Sequence, residues 1–515
     1  MLMDGLLHQV QLRPYDTAVS HFGCKLDYSQ LVGRASAFAR MLRSRGVASG
    51  DRVALVAPKS IEALVAIVGV SLAGGVFIPC DPKIPPERLV RVLCDCDPKV
   101  VVSTPTTIDR IYQLDPRFLA NLVHVCALGD CSLPNAYKYD FTATSDSYDV
   151  VAVPDEQPAY ILYTSGTTGN PKGVVHSHLS ASSFVKWAIA TFHMQANSVV
   201  ANHAQWSFDL SVLDLWASLS SGARIELVSP EFALRPKEFV RHLEDWGATH
   251  FYSVPSMIGL LESDGSLREH PLPELKHLLY AGEPFPIPRL RAVMQCMPQA
   301  RFYNLFGPTE TNVCLYHEIT SLPEPDAHQV PIGKACEHLT VELLDENGQA
   351  RSASEEGEIC VAGPSVLTEY FRLPVETERS FFTADQFLDC RRRYRTGDRA
   401  SIDNQGRFWF HGRHDRLVKR RGFRIELGEI EAVMNTEPNV LEACAYVVRY
   451  GDEIRINVAT VLRPGCSATP LALRIYCGRS LPPYMVPDAI IILDELPRTA
   501  NGKVDLPRLC SSSTL

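Results

Sequence analysis

Residues 160–173, YILYTSGTTGNPKG, place three glycines, four Ser and Thr hydroxyls and one lysine directly after an apolar run. Glycine adopts positive φ angles without strain, so successive backbone N–H groups can converge on phosphate oxygens. The hydroxyls add donors and the lysine adds charge. This is not the P-loop spacing, because Pro171 stands where that motif has its second glycine. An ordinary Ser/Thr/Gly turn is the alternative to a polyphosphate-binding loop. The predicted phosphate contacts are Thr164, Ser165, Gly166, Thr167, Thr168, Gly169 and Lys172.

Other short motifs follow one another along the chain at regular intervals. They are LDY at 26–28, LAGG at 72–75, NLFGPTET at 304–311, YRTGD at 394–398, GRHDRLVKRRGFRIELGEIE at 412–431 and NGK at 501–503. Together with TSGTTGNPKG, this ordered series resembles the motif set of the adenylate-forming superfamily. That superfamily includes acyl-CoA ligases, luciferases and the adenylation domains of nonribosomal peptide synthesis. The resemblance covers nearly the whole chain.

The resemblance implies that ATP and Mg²⁺ are used to join a carboxylate to the α-phosphate, with release of pyrophosphate. It implies that Glu310 holds the Mg²⁺, which suits a cation that takes one or two carboxylates plus phosphate oxygens and water. Phe306 matches the residue that packs on adenine, where the family more often has Tyr. Asp398 matches the carboxylate that accepts hydrogen bonds from the ribose hydroxyls. The other nucleotide positions implied are Gly282, Glu283, Asn304, Gly307, Thr309 and Arg413, and the catalytic positions are Lys503, Glu310 and Thr164.

Lys503 near the C-terminus matches the family's lysine that bridges the substrate carboxylate and the α-phosphate. An ammonium group between two oxyanions would offset their repulsion. The resemblance therefore implies a mobile small domain. The domain limits are expected at 1–414 for the adenylation core and 415–515 for the lid, with Asp415 as hinge and Gly422 presented for thiol transfer.

FDLSVL at 208–213 resembles the segment that opens the acyl pocket in amino-acid-activating members. Asp209 falls where they place the partner of the substrate α-ammonium group, although an Asp that caps the following helix is an alternative. The pocket position assigned to Tyr252 could instead belong to Ser253, because the local alignment with the family allows a shift of one residue. The implied wall is apolar and should reject polar side chains. It consists of Leu210, Leu213, Tyr252, Leu279, Ala281, Leu305, Val313 and Cys314, with Asp209 and Lys503 as the charged groups.

This order of pocket residues resembles that of free-standing prolyl adenylation enzymes, which pass proline to a carrier protein in pyrrole and related alkaloid pathways. The implied partners are L-proline and a separate phosphopantetheinylated carrier. Twelve residues follow Lys503, too few for a carrier domain of about 50 residues, so we expect the carrier to bind in trans. His203 matches a position that often gates the pantetheine channel, and a core histidine is the alternative.

Three other functions remain open. The enzyme could load D-alanine onto a carrier, or could use coenzyme A as acceptor. It could also be a silent relative that only binds a nucleotide or a carrier, against which Lys172, Glu310, Asp398 and Lys503 argue. Exchange of pyrophosphate with a panel of amino acids would settle the D-alanine alternative, and a comparison of carrier protein with coenzyme A as acceptor would separate the acyl-CoA ligase.

The elements that position these residues read as an α/β fold. Short β-branched runs such as RVALVA at 52–57 and KVVVST at 99–104 alternate with helical patterns, which indicates parallel strands with crossover helices. Residues 63–79 are apolar enough to consider a membrane span, but a buried βαβ unit is the favoured interpretation. Runs at 340–344, 357–362 and 407–411 alternate and predict antiparallel hairpins. The resemblance implies a large N-terminal domain of stacked α/β subdomains with a distorted β-barrel, and a small mobile α+β C-terminal domain.

The composition of the chain argues against nucleic acid and anionic membranes as partners. The 515 residues are 46% hydrophobic and 21% charged, with a net charge of -9, so no basic surface for nucleic acid or anionic membrane is expected. The 15 cysteines lack the paired spacing of a zinc site and are sparse for a disulfide scaffold. We therefore expect a reduced, cytoplasmic protein.

Overall fold

The computed structural model describes residues 1–114, 124–128, 136–166, 170–229, 231–232, 235–352, 355–383, 386–413, 416–451, 453–498 and 504–512. The chain separates into two compact units. The larger unit comprises Met1–Pro82, Cys96–Leu162 and Gly173–His414. The smaller unit comprises Lys83–Asp95, Tyr163–Lys172 and Asp415–Leu515. The assignment of Asp415 as a hinge stays a prediction, because that residue lies outside the described ranges.

The strands and helices alternate over the first half of the chain. The strands there are β1 (Thr17–His21), β2 (Cys24–Asp27), β3 (Arg52–Val56), β4 (Val76–Cys80), β5 (Val100–Ser103), β6 (His124–Ala127), β7 (Ala136–Lys138), β8 (Pro158–Thr164), β9 (Lys172–Ser177), β10 (Val199–Asn202), β11 (Arg224–Leu227) and β12 (His250–Ser253). The helices are α1 (Asp4–Leu12), α2 (Tyr28–Ser44), α3 (Ile61–Leu72), α4 (Pro86–Cys96), α5 (Pro105–Leu114), α6 (His178–Thr191), α7 (Leu210–Val212), a π-helix (Leu213–Ala217), α8 (Ser218–Ser221) and α9 (Pro236–Asp245).

Strands predominate in the second half. They are β13 (His277–Ala281), β14 (Arg301–Phe306), β15 (Leu315–Ile319), β16 (Lys334–Ala335), β17 (Thr340–Leu344), β18 (Gly357–Ala362), β19 (Glu369–Tyr370), β20 (Phe381–Phe382), β21 (Arg393–Ile402), β22 (Phe408–Arg413), β23 (Leu417–Arg420), β24 (Phe423–Glu426), β25 (Val440–Tyr450), β26 (Glu453–Leu462) and β27 (Ala489–Leu493). The helices are α10 (Pro255–Ser263), α11 (Ser266–Glu269), α12 (Ile287–Cys296), α13 (Pro374–Arg379), α14 (Leu427–Asn435), α15 (Pro470–Ser480) and α16 (Leu506–Ser512).

Two large, mostly parallel sheets carry the predicted strand–helix alternation, and the α/β class is confirmed. One sheet has the strand order β16-β15-β14-β13-β12-β10-β11-β1-β2, and the other has the order β19-β9-β8-β4-β3-β5-β6-β7. Strand β11 lies in the first sheet, whereas β3, β4 and β5 lie in the second. The alternation of strand and helix patterns in the sequence therefore predicts the α/β class, but it does not show that the strands divide between two sheets.

Helix α3 begins at Ser60, whose Oγ accepts a hydrogen bond from the N–H of Ala63 at 3.1 Å. It connects β3 to β4, which pair in parallel, and Glu62 alone among its residues is not buried. The interpretation of this apolar segment as a buried βαβ unit is thus confirmed. Within the described ranges, the structure contains no helix that combines the length and the apolar character needed to cross a bilayer.

The predicted antiparallel hairpins are also present. Strands β17 and β18 pair along their full length, and β18 continues the sheet to β21 and β20. Strand β22 pairs with β21 and brings Asp398 opposite Arg413.

The smaller unit has a three-stranded sheet, β25-β26-β27, and a separate hairpin of β23 and β24. Helices α14 and α15 contribute Ile430, Val433 and Leu473 to its apolar core. The hairpin formed by residues 417–426 is not predicted from the sequence, because its charged residues hide the strand pattern.

Candidate active site

The carboxyl ends of parallel strands β12, β13 and β14 form one edge of the nine-stranded sheet in the larger unit. In register, Tyr252 lies beside Leu279, and Ala281 lies beside Leu305. Ligands of open α/β sheets bind at this edge. All four side chains are buried and belong to one continuous apolar cluster. The structure therefore brings together pocket residues that are distant in sequence.

The remaining predicted wall residues join the same apolar cluster. Leu213, Val313 and Cys314 are buried members, and Leu210 packs against it while partly exposed. Apart from the weak thiol of Cys314, no side chain in this set carries a hydrogen-bonding group other than the Tyr252 hydroxyl. Such a wall favours an apolar side chain in the ligand.

Asp209 stands half-buried immediately before α7. One carboxylate oxygen accepts a hydrogen bond from the N–H of Leu210 at 3.0 Å, so the capping alternative describes a real contact. Its charge also acts on the pocket. Burial raises the pKa of Tyr252 well above its ordinary value, and the charge of Asp209 is the next cause. Asp209 also directly precedes Leu210, which packs against the apolar cluster.

Phe306 and the turn after it close the same edge. The Phe306 ring lies 5.6 Å from that of Phe410, between ring centroids. The Asn304 amide donates to the carbonyl of Pro331 at 2.9 Å. At Gly307 an added Cβ would lie 2.0 Å from the carbonyl oxygen of Asn312. Only glycine therefore fits at this point of the turn.

Glu310 is fully buried in this turn. The Tyr370 hydroxyl donates to its Oε1 at 2.7 Å and lies 3.2 Å from the hydroxyl of Tyr394. His176 Nε2 lies 2.9 Å from the carbonyl oxygen of Thr309. Burial lowers the pKa of His176 to about 4, so at neutral pH the uncharged ring donates to that carbonyl. These contacts hold the turn that presents Glu310.

Glu310 provides a hard carboxylate oxygen, which is the donor type that Mg²⁺ prefers. Among the described residues no group of three or more His, Cys, Asp or Glu side chains is arranged to hold a metal ion. A cation here would therefore depend on phosphate oxygens and water for its other ligands. Mg²⁺ at nucleotide sites is usually bound in this way, so the residues fit the ion.

Asp398 is nearly inaccessible to solvent, at 1% exposure. Arg413 donates to its Oδ1 at 2.7 Å and to the carbonyl of Thr396 at 2.8 Å. The Asp398 N–H donates to Thr396 Oγ1 at 3.0 Å. These bonds fix the carboxylate on β21. Arg413 therefore orients Asp398, a contact that the sequence does not predict.

Gly282 and Glu283 follow β13. Gly282 has φ of +91°, a region that favours glycine. The Glu283 carboxylate accepts a hydrogen bond from the N–H of Ser256 at 3.1 Å, near the start of α10. The pair thus links the ends of two neighbouring strands.

The phosphate-loop segment lies in the smaller unit. Thr164 ends β8, and its buried Oγ1 has no hydrogen-bond partner among the described residues. The Ser165 hydroxyl donates to the carbonyl of Arg424 at 2.8 Å. At Gly166 an added Cβ would lie 2.1 Å from the carbonyl oxygen of Asn170. The close approach of Gly166 to Asn170, beside an unsatisfied hydroxyl, fits the predicted anion loop, and Lys172 begins β9.

Several predicted site residues lie outside the described ranges. They are Thr167, Thr168, Gly169, Asp415 and Lys503. Gly422 is described and forms the turn of the β23–β24 hairpin, with φ of +78°.

His203 sits half-buried after β10. Its Nδ1 lies 3.0 Å from Ser253 Oγ, and its ring stacks on Phe239 with centroids 5.8 Å apart. Burial lowers the pKa of His203 to about 3, with the charge of Lys59 as a further cause. This packing matches the core-histidine alternative, and the role of a channel gate stays a prediction.

Sequence reasoning does not identify Tyr370, His176 or Lys59. Tyr370 lies in a two-residue strand and His176 in an apolar strand, and neither belongs to a recognisable motif. Lys59 has the appearance of an ordinary surface lysine in sequence. Only the fold brings each of them to a buried polar partner.

The glycine-bearing motif at 160–173 and the ordered motifs after it are typical of ATP-dependent enzymes of the adenylate-forming class. Residues 6–371 match the family of AMP-binding enzymes, and residues 429–503 match the AMP-binding enzyme C-terminal domain. The chain belongs to the AMP-binding enzyme family, within the adenylate-forming superfamily, and is a ligase.

Similar proteins cover almost the whole chain. It is 35% identical to an L-proline–[L-prolyl-carrier protein] ligase of Pseudomonas fluorescens over 506 residues, which are 98% of each protein. It is 31% identical to a D-alanine–D-alanyl carrier protein ligase of Bacillus cytotoxicus, over 97% of each. The crystal structure of IdnL1 superimposes with a TM-score of 0.80 at 29% identity, covering 96% of this chain and 98% of the other.

Proposed function

We propose that this enzyme activates L-proline with ATP to give L-prolyl-AMP and pyrophosphate. It then transfers the prolyl group to the phosphopantetheine thiol of a separate carrier protein. The observation that carries the proposal is the half-buried Asp209 beside an apolar wall. The 35% identity to an L-proline–[L-prolyl-carrier protein] ligase over nearly the full length supports the choice of substrate.

The pocket chemistry suits this substrate in two ways. A secondary ammonium group offers two N–H donors to Asp209, and a charged partner offsets the cost of withdrawing the carboxylate from water. The pyrrolidine ring is compact and apolar. It therefore suits a pocket wall formed by the buried side chains of Leu279, Ala281 and Leu305.

In the first half-reaction a carboxylate oxygen of proline attacks the α-phosphorus and pyrophosphate departs. The reactants are both anions, so the protein must hold them and neutralise their charge. We assign Phe306 to the adenine and Asp398, held by Arg413, to the ribose hydroxyls. Glu310 would hold Mg²⁺, which supplies charge neutralisation at the phosphate oxygens.

We assign the remaining positive charge to two lysines. Lys172 pairs with the phosphates, and Lys503 bridges the proline carboxylate and the α-phosphate. In the second half-reaction the carrier thiol, which loses its proton, attacks the acyl carbon and AMP departs. Gly422 and His203 are assigned to the thiol's access route, and Asp415 to the hinge between domains 1–414 and 415–515. Synthesis of pyrrole or alkaloid-type metabolites is the proposed context.

D-Alanine is the second candidate substrate, because the D-alanyl carrier protein ligase is 31% identical over 97% of both proteins. It too has an α-ammonium group and an apolar side chain. The two candidates differ in volume, since the pyrrolidine ring fills more of an apolar pocket than a methyl group does.

Amino-acid-dependent pyrophosphate exchange tests the proposal. With purified enzyme, ATP and Mg²⁺, L-proline should support the fastest exchange in a panel that includes D-alanine, glycine, D-proline and L-glutamate. L-Glutamate is the polar control. Faster exchange with D-alanine would select the second candidate, and no exchange with any amino acid would reject both.

A second assay concerns the acceptor. Radioactive proline should become attached to a phosphopantetheinylated carrier protein and not to its apo form, while free coenzyme A should accept little. Efficient transfer to coenzyme A would instead identify an acyl-CoA ligase.

A further inference from the structure

Lys59 is a buried lysine just after β3, with 5% of its surface exposed. Its Nζ lies 2.8 Å from the carbonyl oxygens of Asn202 and His203, and 3.4 Å from that of Ala204. An ammonium group has three N–H donors, whereas a neutral amine has two. Three carbonyl acceptors around one nitrogen therefore match the charged form of the side chain.

The chain segment that Lys59 contacts runs from β10 towards Asp209. Asn202 belongs to this segment and is fully buried. Its amide oxygen accepts a hydrogen bond from Trp206 Nε1 at 3.0 Å. Its amide nitrogen donates to Asp214 Oδ2 at 3.0 Å and lies 3.4 Å from the carbonyl of Ala204. The backbone leading to Asp209 is thus held by two buried side chains.

Asp214 is the acidic group of this cluster. It is fully buried in the π-helix, directly after the pocket residue Leu213. Its Oδ1 has no hydrogen-bond partner among the described residues. Burial raises the pKa of Asp214 to about 7 and lowers that of Lys59 to about 7, and the attraction between the two groups opposes both shifts. His21, His203 and Tyr252 are the other titratable groups within electrostatic reach of the pair.

We infer that Lys59 is a positioning residue for amino-acid recognition, linked through Asn202 to the buried carboxyl group of Asp214. By binding the carbonyls of Asn202, His203 and Ala204, its ammonium group fixes the segment that presents Asp209 to the substrate. This inference rests on the proposed function, because it gives Asp209 the α-ammonium group to bind. In this role Lys59 acts through the position of Asp209.

Burial of two ionisable groups of opposite charge contributes little to stability by itself. Withdrawing two charges from water costs more than an apolar pair of similar volume would. Its benefit is geometric, since the ammonium group fixes three consecutive carbonyls whose partners would otherwise be lost. Losing it should therefore move Asp209 and weaken amino-acid binding, while the nucleotide residues on β14 and β21 keep their own contacts.

The test uses the full-length enzyme and the amino acid that the wild type exchanges best. Lys59→Met removes every donor, and we expect a KM for the amino acid about tenfold higher or more. The KM for ATP should change less than about threefold. Lys59→Gln keeps two amide donors without charge and should give an intermediate KM for the amino acid. Should the Met variant fail to fold, the Gln variant decides the question.

Tyr28→Phe is the matched control in the larger unit. The buried Tyr28 hydroxyl donates to the carbonyl of Ala223 at 2.8 Å and lies 3.3 Å from that of Ser218. Its loss should lower the melting temperature without changing either KM. The inference is overturned if both KM values rise equally in the Lys59 variants, or if the Gln variant has the wild-type KM for the amino acid. A wild-type enzyme that exchanges no amino acid would defeat the proposed function instead.

Discussion

Asp209 has two roles: it contacts the first residue of α7, and we assign it to the α-ammonium group of the substrate. Its carboxylate caps α7 through the N–H of Leu210, and its charge acts on Tyr252. An asparagine caps a helix about as well as an aspartate does. The two roles can therefore be separated by a single substitution that removes the charge and retains the cap.

We predict that Asp209→Asn raises the KM for proline roughly 30-fold or more, because truncating a buried charge pair costs about 2–5 kcal/mol. The KM for ATP should stay within about threefold, since the nucleotide residues keep their partners. Pyrophosphate exchange at varied proline and varied ATP measures both constants.

Asp27→Asn is the control for the cap. Asp27 accepts a hydrogen bond from the N–H of Gln30 at 2.7 Å at the start of α2, on the surface. That variant should keep both wild-type KM values. Equal increases in the two KM values of Asp209→Asn would remove Asp209 from the amino-acid pocket.

Glu310 shows how much of a site depends on residues without a motif. The sequence singles out this carboxylate through its neighbours in NLFGPTET, whereas Tyr370, whose hydroxyl binds it, is 60 positions away. Lys59 and its first carbonyl partner are 143 positions apart. Such contacts join residues that lie in or after strands of different sheets. Motifs of neighbouring residues in the sequence therefore do not predict them.

At the scale of elements, the sequence predicts a strand best where its residues are apolar throughout. All four residues of β5, VVVS, are buried, as its apolar run predicts. All six residues of β18, GEICVA, are also buried, although its sequence pattern alternates. Strand β10 is a four-residue segment, VVAN, that the sequence does not distinguish from a loop, although it is central in its sheet. The hairpin of β23 and β24 is missed because charged side chains interrupt both strands.

The turn of that hairpin consists of Arg421 and Gly422, since Arg420 pairs with Phe423. Both turn residues have positive φ, at 51° and 78°. This is the geometry of a type I′ turn, which favours glycine at the second central position. The proposed role of Gly422 in thiol transfer therefore depends on an element whose shape is sensitive to a single methyl group.

We predict that Gly422→Ala slows transfer of proline to the carrier by about tenfold, while pyrophosphate exchange keeps at least about half of its rate. The reason is that a Cβ at this φ costs about 1 kcal/mol and shifts the turn. Single-turnover transfer from preformed prolyl-AMP measures the second half-reaction by itself.

Gly451→Ala is the matched control, because Gly451 also has a positive φ, 58°, and follows β25 in the same unit with open space around it. It should leave both half-reactions unchanged. A wild-type transfer rate in Gly422→Ala would show that this turn has no role in the transfer of proline to the carrier thiol.

On the scale of the whole molecule, the larger unit buries several histidines as neutral rings. Burial lowers the pKa of His176 and His250 to about 4, and that of His203 and His277 to about 3. The rings of His250 and His277 stack with centroids 4.6 Å apart, so charging both would add mutual repulsion. An unfolded histidine titrates near 6.5.

We predict that the free energy of unfolding of the larger unit falls steeply between about pH 6.5 and pH 4. In that window the unfolded chain binds protons that the folded histidines do not, so stability is full above pH 6.5 and is lost as the pH decreases. Each such histidine contributes about 1.4 kcal/mol per pH unit. Melting temperatures at pH 7.5, 6.5 and 5.5 measure the trend.

His250→Gln keeps a donor near the Phe192 carbonyl and should reduce the decrease of the melting temperature with pH. His8→Gln, at an exposed position, should leave that decrease unchanged. An unchanged slope in His250→Gln would show that other groups control the acid sensitivity of the fold.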